Sequence, residues 1–349
     1  MYLDFILLFF IIIFFIKAKF HFKDNNENYI SRTQTQCING FFVLIVFMRH
    51  FKSYIKFGDF DHIFQAIDSW TGQLIVVPFL FFSGYGIMLS ISKKGKGYVN
   101  SIMTKRFLKV WIHFMMAIVL FVFTNMFLGN ELKLNKVLFS LIGWDGIGNS
   151  NWYIFDTLVL YILTFLSFRF VGKNNKIGMY IMALLSTAFV VTMTFFKQGY
   201  WYNTIIAYPL GMLFAMTEPQ FRAWINKSRF NFIIIATIGA VSIFLSSYDK
   251  GKLTSYEVFV TASIFIILAL SLKVEFKNKI LEFLGKYVFE IYILQRIPML
   301  ILKNYIPQKY LYFAACFAAT IIISILFRFL ANGVDYLIDG KFLKKNKAK

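Results

Sequence analysis

Only two cysteines, Cys37 and Cys316, occur in the 349 residues; they stand at opposite ends of the chain, each inside an apolar run. That excludes a disulfide framework and leaves no zinc-ligand spacing. Charge is scarce too, at 15% of residues, and only 17 carboxylates face 37 lysines and arginines. Low-complexity linkers, an appended soluble segment and internal repeats are all missing, so the chain reads as one domain. What is plentiful is apolar surface: 58% of residues are hydrophobic, 20% are aromatic, 45 of them are Phe, and the mean hydropathy is +0.64. This exceeds what a water-soluble domain carries, and it predicts a membrane protein.

Apolar runs recur at 2–16, 37–54, 71–92, 107–128, 152–168, 177–196, 201–216, 230–247, 256–272, 281–302 and 310–330. Each is long enough, or nearly so, to cross the roughly 30 Å hydrocarbon layer as a helix. The expected fold is therefore all-α, a polytopic membrane helix bundle of about 11 transmembrane helices. The first run lacks a basic start and a small-residue cleavage site, which marks it as a retained helix and not a signal peptide.

Alternate loops differ sharply in charge. One set holds 25 Lys and Arg and the other holds 9, with Arg49, Arg296 and Arg328 inside the runs. The positive-inside rule then predicts an N-terminus outside and a C-terminus in the cytoplasm. The net charge of +20 is a topology signal dispersed over these loops, so nucleic acid is not an expected partner. The end "GKFLKKNKAK" reads as a cytosolic polybasic tail held near anionic membrane lipid.

Within "NGFFVLIVFMRH" the ionisable pair Arg49 and His50 sits at membrane depth, where it costs a few kcal/mol unless it is placed at the water boundary or used. Arg49 fits snorkelling to the headgroups. Eleven residues turn a helix by about three turns plus 20°, so Asn39 and His50 share a face about 16 Å apart. Such a face could wall a path across the bilayer.

These residues resemble acyltransferase family 3, integral membrane proteins that move acyl groups from coenzyme A thioesters onto surface glycans. The family's Arg-Gly, apolar run and His appear as Gly40 and His50, with Asn39 in place of the arginine. "TGQLIVVPFLFFSGYGIML" matches its next signature at Gly72, Phe81, Phe82, Ser83 and Gly84. The basic cluster is "TKRFLKVW", with Lys105, Arg106 and Lys109; the aromatic helix is "NWYIFDTLVLYIL", with Trp152 and Tyr161. Last comes "LGKYVFEIYILQRIP", with Gly285, Glu290 and Tyr292, and with Gln295 where many members carry histidine. The resemblance runs from residue 36 to about 330 and implies three parts: 1–35 as an extra helix and cytosolic linker, 36–331 as the family's membrane domain, and 332–349 as the basic tail.

The resemblance implies acetyl-CoA as acyl donor, no metal, and an envelope or capsular polysaccharide, or a lipid-linked glycan, as acceptor in the plasma membrane of a bacterium. His50 would be the general base or a transient acyl carrier. Arg106 and Lys109 share a face three residues apart, and with Lys105 and Asn39 they are the expected donor-binding residues. Glu290, mid-run, either orients a polar group of the site or closes an interhelical hydrogen bond. Asp156 lies at a depth from which it could pair with Arg49 or orient His50. Ser83 and Gly84 read as a close-packing pair. Asp59, Asp61, His62 and Asp68 lack regular ligand spacing and read as a solvated or acceptor-facing loop. The alternative functions are a flippase or transporter of lipid-linked saccharide, or a glycan polymerase; Pro78 and Pro209 fall in no matching halves of an inverted repeat, and the outer loops are short and poor in arginine.

Overall fold

The computed structural model describes residues 2–172, 174–249 and 251–347, with side chains up to Gly340. It is a helical bundle. The helices are α1 Leu3–Phe15, α2 Arg32–Phe51, α3 His62–Thr71, α4 Val77–Ile102, α5 Leu108–Phe127, α6 Leu134–Ser140, α7 Trp152–Arg169 and α8 Asn175–Thr194. They continue as α9 Ala207–Lys227, α10 Arg229–Ser247, α11 Leu253–Lys273, α12 Lys279–Lys286, α13 Val288–Leu294, α14 Arg296–Leu302 and α15 Lys309–Lys347. Two short strands, β1 Lys19–Phe20 and β2 Val274–Glu275, pair antiparallel.

Every apolar run drawn from the sequence falls on helix, with differences in how the helices are built. Among the described residues six helical stretches are long and apolar enough to cross a membrane, one of them the continuous Asp59–Phe127 that contains α4 and α5. It bends at Gly95, whose φ of +59° is open to glycine because no Cβ clashes there. The run 281–302 is three short helices, broken at Tyr287 and again at Gln295. The final helix does not stop near residue 330 but runs on to Lys347. The lysines of the basic tail, from Lys341 onward, lie outside the described side chains.

Loops counted as basic meet one another at one end of the bundle. Asn26 donates to the carbonyl of Ser271, Tyr29 to Glu218 at 2.9 Å, and Asn25 to Asn226. Loops poor in basic residues meet at the opposite end, where Lys309 donates to the Lys56 carbonyl and Leu3 N–H to Asp61. Between these ends, large side chains stay exposed around the perimeter, among them Phe123, Tyr180 and Phe329, as they do in a bundle whose solvent is lipid.

Two backbone contacts organise the interior. A Cβ on Gly40 would stand 2.0 Å from the Leu281 carbonyl oxygen, and one on Gly285 would stand 1.9 Å from that of Gln36, so α2 and α12 touch main chain to main chain. A Cβ on Gly84 would meet the Tyr208 carbonyl at 2.1 Å and one on Gly211 that of Phe81 at 2.0 Å, which joins α4 to α9 the same way. Small residues let membrane helices approach this closely, so Gly84 packs as its motif suggests. The first contact belongs to one apolar cluster, centred on α2, α5 and α13 to α15, and the second to another, centred on α4, α9 and α11. Phe82, Phe107, Val110 and Tyr153 pack against both clusters and mark the seam.

Valine at Gly40 forces the two backbones apart. We expect Gly40→Val to lower stability by more than about 3 kcal/mol, as overpacking against backbone does. Gly86→Ala, where nothing lies within 4 Å, serves as the neutral control. Thermal unfolding of the two variants in detergent checks this; equal midpoints would contradict it.

Candidate functional site

His50 ends α2, and its ring centroid lies 5.9 Å from that of Tyr292 on α13. Tyr292 in turn meets Tyr153 on α7 edge to face at 5.1 Å. Gln295, wholly buried, donates from Nε2 to the Tyr292 carbonyl at 3.2 Å. Around this core the side chains of His50 and Gln295 face each other, and Tyr292 OH faces the Tyr153 backbone, without closing well-formed hydrogen bonds, and both oxygens of Asp156 have no hydrogen-bond partner. A buried polar atom left without a partner costs about 1–3 kcal/mol, so a group of them in one place calls for a ligand, a water or a reacting group to meet them. Arg49 and Arg296 add positive potential at the ring, and Arg296 also donates to Ser150 at 3.1 Å. Two guanidinium groups beside an imidazole suit a reaction in which negative charge develops on oxygen.

From Tyr292 a cavity of about 400 Å³ follows the seam toward the basic end. Asn39 and Lys286 line it there, and Tyr153, Thr157 and Tyr161 line it along α7. Ser83 lines it too, with its hydroxyl near that of Tyr161, while its neighbour Gly84 does the packing. The shared face of Asn39 and His50 is thus realised in part: Asn39 is in the wall, whereas His50 does not line the cavity and lies behind Tyr292, with ring centroids 5.9 Å apart.

A second, basic pocket of about 510 Å³ is lined by Lys94, Tyr98, Ser101, Lys105, Arg106 and Lys109. Residues Met103–Phe107 form a π-helical turn, a widening that often accompanies function, and it brings Lys105 and Arg106 to this pocket together with Lys109. Arg106 donates to the Tyr98 hydroxyl at 3.2 Å and interacts electrostatically with Tyr161, a wall of the cavity. Arg106 therefore stands between pocket and cavity. Lys109 is committed more than expected, because α15 supplies Asp339 at 2.9 Å and Asp335 at 3.4 Å, with Asp335 also 3.1 Å from His113. Asn39 is not in the basic pocket.

Other predicted residues go elsewhere. Glu290 gives both carboxylate oxygens to Arg328, at 2.8 and 2.7 Å, and lines neither space. Arg328 also donates to the Lys286 carbonyl and stacks over Tyr287. This is the interhelical bond that the sequence offered as one of two roles. Arg49 does not snorkel freely: it donates to the Gly72 carbonyl and lies 3.5 Å from Asp68. Asp68 also binds Lys52, so a pairing of Asp156 with Arg49 is replaced by this nearer carboxylate.

The segment expected as a solvated loop is instead a 3-10 turn, Asp59–Asp61, running into α3, with Asp61 and Asp68 buried. Its aspartates serve caps and ion pairs. Asp61 accepts from the Leu3 N–H at the start of α1, while Asp4 accepts from the Phe64 N–H at the start of α3.

Of the cavity wall on α7 the sequence marks Tyr161 but not Tyr153 or Thr157, although the three are spaced by four and so form one polar stripe on a helix. Arg296 was counted only as a charge inside a run. Nothing in local sequence places it beside His50, because that depends on how α13 and α14 pack against α2.

The bundle, with its apolar perimeter and polar interior cavity, defines a multi-pass membrane protein. The acyltransferase domain family matches residues 36–329, and the chain belongs to it: this is a membrane acyltransferase. No curated protein and no solved structure matches the chain.

Removing either member of the Glu290–Arg328 pair strands a buried charge. We expect Glu290→Gln and Arg328→Met each to cost on the order of 3 kcal/mol, and the double variant to cost clearly less than their sum. A double-mutant cycle on thermal unfolding measures this; additive losses would mean that the pair is not coupled.

Proposed function

We propose that this protein is an O-acetyltransferase of a bacterial plasma membrane, with its N-terminus outside and its C-terminus cytoplasmic. It takes acetyl from cytosolic acetyl-CoA and delivers it to a hydroxyl of an extracytoplasmic envelope or capsular polysaccharide. One observation carries the reading: the cavity that starts at Asn39 and Lys286, beside the basic pocket, and ends at Tyr292 against His50. Family membership supports the acyl transfer itself.

The phosphates of the donor would lie in the basic pocket, gripped by Arg106 and by Lys105, while its uncharged arm enters the cavity past Tyr161 and Ser83. In direct transfer, His50 removes the proton of the sugar hydroxyl as that oxygen bonds to the thioester carbonyl carbon. The carbonyl oxygen takes the negative charge near Arg49 and Arg296. The C–S bond then breaks, and the thiolate recovers the proton from the imidazolium. In a two-step route the ring nitrogen bonds the acyl carbon first and the thiolate leaves with the proton released by the other ring nitrogen; the sugar oxygen then displaces the imidazole, which takes up the hydroxyl proton.

His50→Ala should reduce ester-linked acetate on the envelope polysaccharide at least 100-fold in a deletion strain carrying the variant, at unchanged protein level. Unchanged acetate would remove His50 from the chemistry. Arg106→Ala should raise the KM for acetyl-CoA about tenfold, the loss of roughly 1.4 kcal/mol of phosphate binding, with a smaller effect on kcat. A KM that does not move would place the donor elsewhere.

A further inference from the structure

Aromatic rings form a continuous run from the end of the bundle opposite the basic loops down to His50. Trp144 and Trp201 lie 6.1 Å apart, Trp201 and Tyr200 6.2 Å, Tyr200 and Trp152 6.3 Å, and Trp152 and Tyr153 6.1 Å. Tyr153 then meets Tyr292 at 5.1 Å, and Tyr292 meets His50 at 5.9 Å. Tyr200, 38% exposed, is where the run meets the surface; Trp201 beside it is 4% exposed, and Tyr292 at the inner end is 2% exposed. An interfacial belt of Trp and Tyr lies around the perimeter at headgroup level and does not turn inward. This run leads from the surface to a buried imidazole.

Polar groups accompany the rings. The loop between Leu141 and Trp152 turns at Gly143 and Gly148, with φ of +78° and +103°, which glycine adopts without strain. It presents Asn149, 7% exposed, whose Oδ1 accepts from the Ile147 N–H at 2.8 Å while its Nδ2 has no partner. The next residue, Ser150, accepts from Arg296, the cation that faces His50. At the outer end Lys197 lies over Trp144 at 4.0 Å and over Trp201 at 4.2 Å and donates to the Trp144 carbonyl, which holds those two rings in place.

Flat apolar rings with an unsatisfied amide donor close by in the chain, the Asn149 Nδ2, are complementary to a pyranose chain. The C–H faces of a sugar pack on aromatic rings, and its hydroxyls accept from and donate to groups at the edge. We propose that Tyr200, Trp152 and Tyr153, with Asn149 at their side, form the binding track for the acceptor glycan, which feeds one sugar hydroxyl past Tyr292 to His50. This deepens the proposed acetyltransferase reading and rests on it.

The test uses the full-length protein in a deletion strain and in nanodiscs, with Tyr200→Ala, Trp152→Leu and their double variant, and with the ring-preserving Tyr200→Phe and Trp152→Phe. Two readouts are taken: ester-linked acetate on purified envelope polysaccharide per molecule of protein, and the Kd for radiolabelled coenzyme A. We expect the double variant to lose at least tenfold in glycan acetate while its Kd for coenzyme A stays within twofold. The ring-preserving variants should remain within threefold of the parent in acetate. Parental acetate in the double variant overturns the track. So does coenzyme A affinity falling in step with acetate, or ring-preserving variants failing as fully as the truncations. His50→Ala, run alongside, separates the two claims: parental acetate in that variant defeats the acetyltransferase reading, whereas the track can fail with the His50 result intact.

Discussion

Main-chain contact between α2 and α12, permitted by Gly40 and Gly285, is the constraint on which the site depends. In hydrocarbon there is no solvent penalty to press helices together, so close backbone approach and interhelical hydrogen bonds must do it. The contact sets α12 against the first half of α2, and the chain then turns at Tyr287 into α13, which carries Tyr292 to the ring of His50. Gly84 and Gly211 act likewise for α4 and α9 and so fix Phe82 and Ser83. The cavity lies where these two glycine-joined units meet. It is the space left between two rigid pairs.

Polar groups inside the bundle divide into two populations. Most are paired: Glu290 with Arg328, Asp68 with Arg49 and Lys52, Asp335 with Lys109 and His113, and Asp61 and Asp4 with helix starts. Pairing is what a low-dielectric interior demands of charge. The second population is buried atoms without partners; these occur elsewhere too, at Ser186, Thr204, Ser271 and Ser324 among others, but His50, Tyr292, Gln295 and Asp156 bring several of them together at the head of the cavity. A fold that pairs Glu290, Asp68 and Asp335 yet leaves the carboxylate of Asp156 without a partner near Tyr292 places electrostatic cost beside the proposed reaction.

Segments outside the family match are tied into the same body. The N-terminal helix exchanges caps with α3, and the chain after it adds β1 to β2 and docks on α9 and α11 through Asn25, Asn26 and Tyr29. At the other terminus the continuation of α15 brings Asp335 and Asp339 to Lys109 on the rim of the basic pocket. A donor phosphate arriving at Lys109 therefore meets a cation already shared with two carboxylates, while Arg106, which donates to the neutral hydroxyl of Tyr98, keeps more of its charge for a ligand.

The sequence by itself determined the helical membrane class, because long apolar runs have few other physical solutions, and it determined the family, because five motifs stand in order along the chain. It also marked His50 and the basic cluster, since charge at membrane depth is costly enough to be conspicuous. Only the tertiary structure decided which groups are neighbours. That Arg49 turns to Asp68 and Gly72, that Glu290 meets Arg328 across 38 residues, that Arg296 faces His50 and that aromatic side chains from three segments join into one run all depend on helix packing between residues far apart in the chain. Local periodicity says which face of a helix is polar; what that face meets is set by the glycine contacts that bring the helices together.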